Sequence, residues 1–178
     1  MISRHKVWKD VHTFVDVGGS YGYFASQVLF QNPHLKGKVA DLESLRPEFN
    51  KHLPELLKDR LTFEGLDFFK EPLPSADVIC LGQVLHDWHD DVKEMLVQKA
   101  YDALPENGKL LIYDIFNDDL KKKTFSLLQS QQITIRLGGV HITHTAFQKM
   151  LDKAGFVSDD WEELSGVHDL IIAVKKSK

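Results

Sequence analysis

Strand-like and helix-like segments alternate along this chain almost from end to end, and a glycine turn separates the first pair. Val11 to Val17 (VHTFVDV) is apolar and β-branched and stops at Gly18-Gly19. Tyr23 to Gln31 follows, with Phe24, Ala25, Val28 and Leu29 at helical spacing, and ends at Asn32-Pro33. A second strand ends in Lys38 to Asp41, a helical stretch runs around Arg46 to Leu57, and Leu61 to Glu64 is the third strand. Ala76 to Leu81 (ADVICL) is a continuous apolar run, the pattern of a strand covered on both faces. Asp91 to Leu104 is helical, with Val92, Met95, Leu96, Ala100 and Ala103 on one stripe. Pro105-Glu106-Asn107-Gly108 breaks it before the strand Lys109 to Phe116. Leu120 to Leu137 reads as one long helix stopped by Gly138-Gly139. Thr145 to Ala154 reads as another, opened by a Thr145/Gln148 capping box and closed by Gly155. Two final strands, around Phe156 to Leu164 and His168 to Lys175, flank Ser165-Gly166 as an antiparallel hairpin. No linker or repeat interrupts residues 1–178. The expectation is a single α/β domain: an open, mostly parallel sheet with helices on both faces.

Composition narrows the classes of function. With 43% hydrophobic and 27% charged residues and no long apolar segment, the chain has the make-up of a globular domain rather than a membrane span. A chain of this length buries roughly 70% of its unfolded surface and needs neither disulfides nor a structural metal. Its single cysteine, Cys80, cannot form an intrachain bridge, and the N-terminal MISRHKVWKDVHTF does not read as a secretion signal. A cytoplasmic location is the expectation. The net charge of −4, from 22 basic and 26 acidic side chains, argues against nucleic acid as a partner. The short basic runs, Lys121 to Lys123 and Lys175, Lys176 and Lys178, read as a solvated helix start and a frayed terminus.

Ligands of open α/β sheets bind beyond the carboxyl ends of the strands. The first strand ends in Asp16-Val17-Gly18-Gly19-Ser20-Tyr21-Gly22, where glycines allow a tight turn and close approach to a ligand at a helix N-terminus. The spacing is not the Gly-x-Gly-x-x-Gly of dinucleotide folds, and plain turn glycines are the competing reading. Asp41, followed by Leu42, ends the second strand, where a carboxylate accepts both hydroxyls of a ribose or caps the next helix. Asp67-Phe68 follows the third strand, placed to hold an adenine. Together these positions describe a nucleoside pocket.

The next strand leads into Leu85-His86-Asp87-Trp88-His89-Asp90-Asp91, the densest cluster of titratable groups. Asp90 and Asp91 suit a helix start, beside the positive end of its dipole. His86 and His89 with neighbouring carboxylates match no strong metal signature, so no metal is expected. A histidine at the end of a central strand, facing a nucleoside, suits proton abstraction near neutral pH.

Several motifs occur in a fixed order: Asp-Val-Gly-Gly-x-x-Gly from Asp16, Lys-Gly-x-x-x-Asp-Leu around Asp41, Asp-Phe-Phe at 67 to 69, Leu-His-Asp-Trp at 85 to 88, Leu-Pro-x-x-Gly-Lys at 104 to 109, and Gly-Gly followed by Ala-Gly-Phe at 154 to 156. In this the chain resembles, from Phe14 onward, the catalytic domain of the S-adenosylmethionine-dependent O-methyltransferases of the caffeic acid and hydroxyindole type. The resemblance implies a Rossmann-like class I methyltransferase fold with S-adenosylmethionine as cofactor and S-adenosylhomocysteine as product. It implies that Asp16, Gly18, Gly19 and Gly22 pass under the methionine portion, Asp41 and Leu42 meet the ribose, Asp67 and Phe68 meet the adenine, and Trp88 packs on its edge. It also implies His86 as general base and Asp114, in place of the family's usual Glu, as its orienting acid. Two positions depart from the family. His141 stands where a second Glu follows the Gly-Gly turn, and Gly82 where many members have a Lys near the cofactor.

The activity this implies is O-methylation of a small aromatic hydroxyl compound. An S-adenosylmethionine-binding protein with impaired catalysis and a binding or regulatory role is the alternative, and a nicotinamide dehydrogenase is a third reading. Phe116, Phe125, Leu128, Gln132 and Ile135 suit an aromatic acceptor, or equally core or interface packing. The resemblance implies an N-terminal helical dimerisation domain in relatives, and the expectation is that this chain lacks it. The apolar face of helix 120–137 is therefore expected to need a homodimer or another partner to cover it.

Overall fold

Phe14, Val15, Asp16 and Val17 are all buried because the strand that carries them, β1 (Thr13–Val17), has a parallel neighbour on either side. The computed structural model describes residues 2–117, 128, 142–164 and 168–176. After β1 come α1 (Tyr23–Gln31), β2 (Lys36–Asp41), α2 (Arg46–His52), β3 (Leu61–Gly65), β4 (Val78–Gly82), α3 (Asp90–Ala103), β5 (Lys109–Asp114), α4 (His144–Ala154), β6 (Phe156–Glu163) and β7 (Asp169–Lys175). The sheet runs β3-β2-β1-β4-β5-β7-β6. The first five strands are parallel, and β7 runs antiparallel to both β5 and β6. The expected open α/β sheet with a closing antiparallel pair is what forms.

Each face of the sheet has its own apolar layer. Val15, Val17, Ile79, Leu81, Leu110 and Ile112 pack with Leu96, Val97 and Ala100 of α3 and Phe147 and Leu151 of α4. Phe14, Val39, Cys80 and Leu111 pack on the other side with Ala25, Val28 and Leu29 of α1 and Phe49 of α2. Trp8, fully buried, closes the N-terminal end of that second layer, its Nε1 donating to the Ile2 carbonyl over 2.8 Å. Chain order reverses between β1 and β4, and the crevice at their carboxyl ends is where such sheets hold ligands.

Local departures from expectation have local causes. The stretch 46–57 is not one helix: α2 ends at His52, Pro54 lacks the N–H to continue it, and a separate 3₁₀ turn covers Glu55–Leu57. Helix α4 opens one residue early, and its cap is Thr143, whose hydroxyl accepts from Ala146 N at 3.3 Å, rather than a Thr145/Gln148 box. Gly155 closes it in the left-handed region at φ 99°, as expected. Asp90 and Asp91 do lie in the first turn of α3. The stretch 120–137 expected to be a helix, apart from Leu128, together with Gly138-Gly139, His141 and Ser165-Gly166, lies outside the described residues. So do the side chains of Phe125, Gln132 and Ile135. Among the described residues no helix is long and apolar enough to cross a membrane.

Candidate active site

The turn after β1 is held by hydrogen bonds that only a glycine-rich loop permits. Gly18 has φ 71°, donates its N–H to the Ala40 carbonyl at 2.9 Å, and has no room for a Cβ, which would lie 2.7 Å from Val84 Cγ2. Ser20, at φ 52°, donates its N–H to Asp41 Oδ2 at 2.8 Å, while Leu42 N donates to Asp41 Oδ1 at 2.7 Å. Asp41 therefore ties the glycine loop to the end of β2 and does not cap a helix. Each of its oxygens keeps a second lone pair for a ligand hydroxyl.

Asp16 lies beneath this loop. Its carboxyl is 2% exposed, Oδ2 has no hydrogen-bond partner among the described residues, and a Cβ on Gly19 would come within 2.5 Å of that oxygen. Burial first, and then the charge of Asp41, push its pKa up to about 7. A buried acceptor without a partner under a bare loop suits a cationic ligand group passing above it.

Asp67 and Phe68 follow β3. Asp67 Oδ1 accepts from Phe69 N at 3.0 Å and Oδ2 pairs with Lys70 Nζ at 2.7 Å, and the Lys70 bond holds this carboxyl below the usual range. Lys99 of α3 reaches across to the Phe68 and Glu71 carbonyls at 2.6 and 2.8 Å and fixes the loop. The Trp88 ring stands edge-on to Phe68 and Phe69, with centroids 6.0 and 4.9 Å away. Phe69, half exposed, is the third residue of the Asp-Phe-Phe motif and joins Phe68 in this contact, which the motif alone does not show.

Beyond β4 the chain makes a short turn, Leu85–Asp87, that puts His86 over the end of β5. His86 Nδ1 is 2.6 Å from Asp114 Oδ1, which also accepts from Ile115 N at 2.8 Å. Asp114 Oδ2 accepts the backbone N–H groups of Leu85 and His86 at 3.1 and 3.3 Å. Asp114 is 1% exposed and meets a donor in each of these bonds, an arrangement that fixes the His86 proton on Nδ1. Burial lowers the imidazole pKa, but the bond to Asp114 and the charges of Asp114 and Asp87 outweigh it and the opposing Lys93, leaving a net rise. The other ring nitrogen, Nε2, has Asp87 Oδ1 3.3 Å away. The sequence shows Asp87 only as a member of the titratable cluster, because its reach to Nε2 depends on the turn geometry.

Gly82 faces a side chain of its own sheet. It pairs in register with Tyr113, whose ring occupies the space a side chain at 82 would need: a Cβ there would lie 2.0 Å from Tyr113 Cε1 and 2.4 Å from its hydroxyl. The Tyr113 ring in turn packs on Phe24 of α1 at 4.8 Å. Of the acceptor candidates, Phe116 is a core residue, 1% exposed and packed on Phe147 and Trp161, whereas Leu128 is 55% exposed.

A family model for the O-methyltransferase domain matches residues 1–157. The chain belongs to that family. Among its relatives, the N,N-dimethyltransferase OxyT of Streptomyces rimosus is 33% identical over 178 residues, covering 98% of this chain and 52% of that protein. The tetracenomycin polyketide synthesis 8-O-methyl transferase TcmO of Streptomyces glaucescens is 33% identical over 94% of this chain and 50% of its own length. Human N-acetylserotonin methyltransferase, solved in complex with S-adenosylmethionine, superposes with a TM-score of 0.86 at 26% identity, over 99% of this chain and 51% of that one. This O-methyltransferase-family chain thus has the class I methyltransferase fold and spans about half the length of the curated relatives it matches.

Proposed function

We propose that this chain transfers a methyl group from S-adenosylmethionine to a hydroxyl of a small aromatic molecule, with His86 as general base. The observation that carries the reading is the His86–Asp114 pair, 2.6 Å apart, between the turn after β4 and the end of β5, with Val84 of the same connection against Gly18 of the glycine loop. Gly18, Gly19 and Gly22, over Asp16, would lie under the methionine portion. Asp41 and Leu42 would hold the ribose, and Asp67, Phe68 and Trp88 the adenine, with Gly82 and its filling Tyr113 at the inner wall. The residues fit the cofactor: a buried acid with an unpartnered oxygen beneath the glycines of the loop, a carboxylate with lone pairs to spare, and an aromatic shelf. His141 lies outside the described residues and takes no part in the proposal.

S-adenosylmethionine, when bound, supplies a methyl group already activated on a positive sulfur. The protein then has two tasks. One is to hold the acceptor oxygen about 3 Å from the methyl carbon and in line with the leaving sulfur. The other is deprotonation, because a phenol with a pKa of about 10 is mostly neutral at pH 7. His86 Nε2 takes that proton as the oxygen attacks, and Asp114 stabilises the resulting imidazolium through Nδ1. The proton ends on His86 and the methyl on the acceptor oxygen. S-adenosylhomocysteine leaves.

Incubation with methyl-labelled S-adenosylmethionine and a panel of phenols tests this. Equal amounts of S-adenosylhomocysteine and labelled methyl ether support it. Cofactor binding with neither product across the panel would leave the binding-only alternative instead.

A further inference from the structure

A second histidine in this chain is held by a buried aspartate, away from the glycine loop. His144, the first residue of α4, has Nε2 2.8 Å from Oδ2 of Asp169, the first residue of β7. Asp169 is 2% exposed, and it is the register partner of Asp114 across β5 and β7, so both aspartates point to the same face of the sheet. The two His–Asp pairs are therefore built on neighbouring positions, one serving the His86 crevice and the other opening elsewhere.

The second pair opens into a cavity of about 560 Å³ between α4 and the β6/β7 pair, lined by His144, Gln148, Lys149, Trp161, Glu163 and Asp169 among others. Neither His86 nor any residue of the glycine loop lines it. The Trp161 ring stands 4.6 Å from the His144 ring and is backed by Phe116 at 5.6 Å, which makes a rigid aromatic wall. The indole N–H donates to Gln148 Oε1 at 3.2 Å, and Gln148 Nε2 donates one of its two N–H groups to Asp152, which fixes the amide against the ring.

At its His144 end the cavity offers an acceptor. A ring proton on Nε2, shared with Asp169, makes Nδ1 the acceptor of this tautomer, and Nδ1 has no partner among the described residues. The His144 side chain is 33% exposed. Glu162, Glu163 and Asp169 give the lining three acidic residues against one lysine, Lys149. Such a wall favours a flat apolar ring carrying a donor and repels a carboxylate.

We propose that this cavity is a second binding site, separate from the His86 crevice, for a neutral aromatic molecule carrying an O–H or N–H donor. The ring packs on Trp161, and the donor bonds to His144 Nδ1. The inference does not depend on methyl transfer, because it concerns binding alone.

The test is a spectral titration of the whole chain, without cofactor, using 2-naphthol, 2-naphthylamine and 2-naphthoate as probes. The readouts are the indole N–H signals of Trp161 and Trp88 in an ¹⁵N-labelled sample, which report the two sites separately. The expected result is a saturable shift of the Trp161 signal with naphthol and naphthylamine and none with naphthoate. His144→Phe should weaken naphthol binding at Trp161 about tenfold, the loss of one hydrogen bond, and leave affinity for S-adenosylmethionine unchanged. A Trp161 signal that does not move, or moves equally with naphthoate, overturns the proposal without recourse to any variant. Shifts at Trp88 alone would overturn it too, while leaving the methyltransferase reading intact.

Discussion

Asp114 holds His86 from two directions: its Oδ1 meets the ring at Nδ1 over 2.6 Å, and its Oδ2 accepts the backbone N–H of the same residue at 3.3 Å. The carboxylate thus sets both the tautomer of the imidazole and the position of the turn that carries it. Asp114→Asn should fail on both counts. Every contact of the carboxylate is with a donor, so the amide NH₂ would face an N–H, at a cost of about 1–3 kcal/mol in stability. Chemical denaturation measures that cost.

The pH dependence follows from the same pair. His86 is the base and must be neutral to act, and its pKa lies above the ordinary 6.5. The ascending limb of kcat/KM should therefore fall above that value, and activity should drop as the pH is lowered through it. Asp114→Asn should move the limb to lower pH, because it removes the charge that favours the imidazolium. A pH–rate profile of both proteins checks the direction.

Asp16 makes an independent prediction about stability. Its folded pKa is about 7 against an ordinary 3.8, so the native state binds more protons than the unfolded chain between those values. Stability contributed by the protonated carboxyl is fully present below about pH 4 and is lost as the pH rises to 7, by on the order of a few kcal/mol. Asp16→Asn should flatten that fall and be more stable than the parent at pH 8. Denaturant midpoints at pH 5 and pH 8 give the comparison.

Gly82 and Tyr113 should behave as a coupled pair. Gly82→Ala drives a methyl into the Tyr113 ring and should destabilise by about 1–3 kcal/mol. Tyr113→Phe keeps the ring and should not relieve it, whereas Tyr113→Ala should. A double-mutant cycle should then show a coupling of about 1 kcal/mol or more.

Asp41 accepts the N–H groups of Ser20 and Leu42, so Asp41→Ala should loosen the glycine loop as well as remove a ribose acceptor. The expected effect is a loss of at least about tenfold in affinity for S-adenosylmethionine, read by calorimetry.

Much of this arrangement is legible in the sequence where the chemistry is local. Gly18-Gly19 and Gly22 after an apolar strand require a turn, and Asp41 and Asp67 stand at the ends of the next strands. Leu85 to Asp91 is conspicuous by its density of titratable groups. Contacts that depend on register are not legible. Nothing near Tyr113 in the chain says that its ring covers Gly82, because the pairing of β4 with β5 decides that. The His144–Asp169 pair requires the start of α4 and the start of β7, far apart in the chain, to meet. The capping error at α4 has a simple origin: Thr143 and Thr145 are both competent caps, and only the hydrogen bond to Ala146 chooses between them.

The most direct test of the central claim is single-turnover formation of S-adenosylhomocysteine by the parent chain and by His86→Ala, at saturating S-adenosylmethionine and a phenol that the parent methylates. The account predicts a rate lower by roughly 10²–10⁴ in the variant, with its affinity for S-adenosylmethionine unchanged. An unchanged rate would show that His86 is not the base.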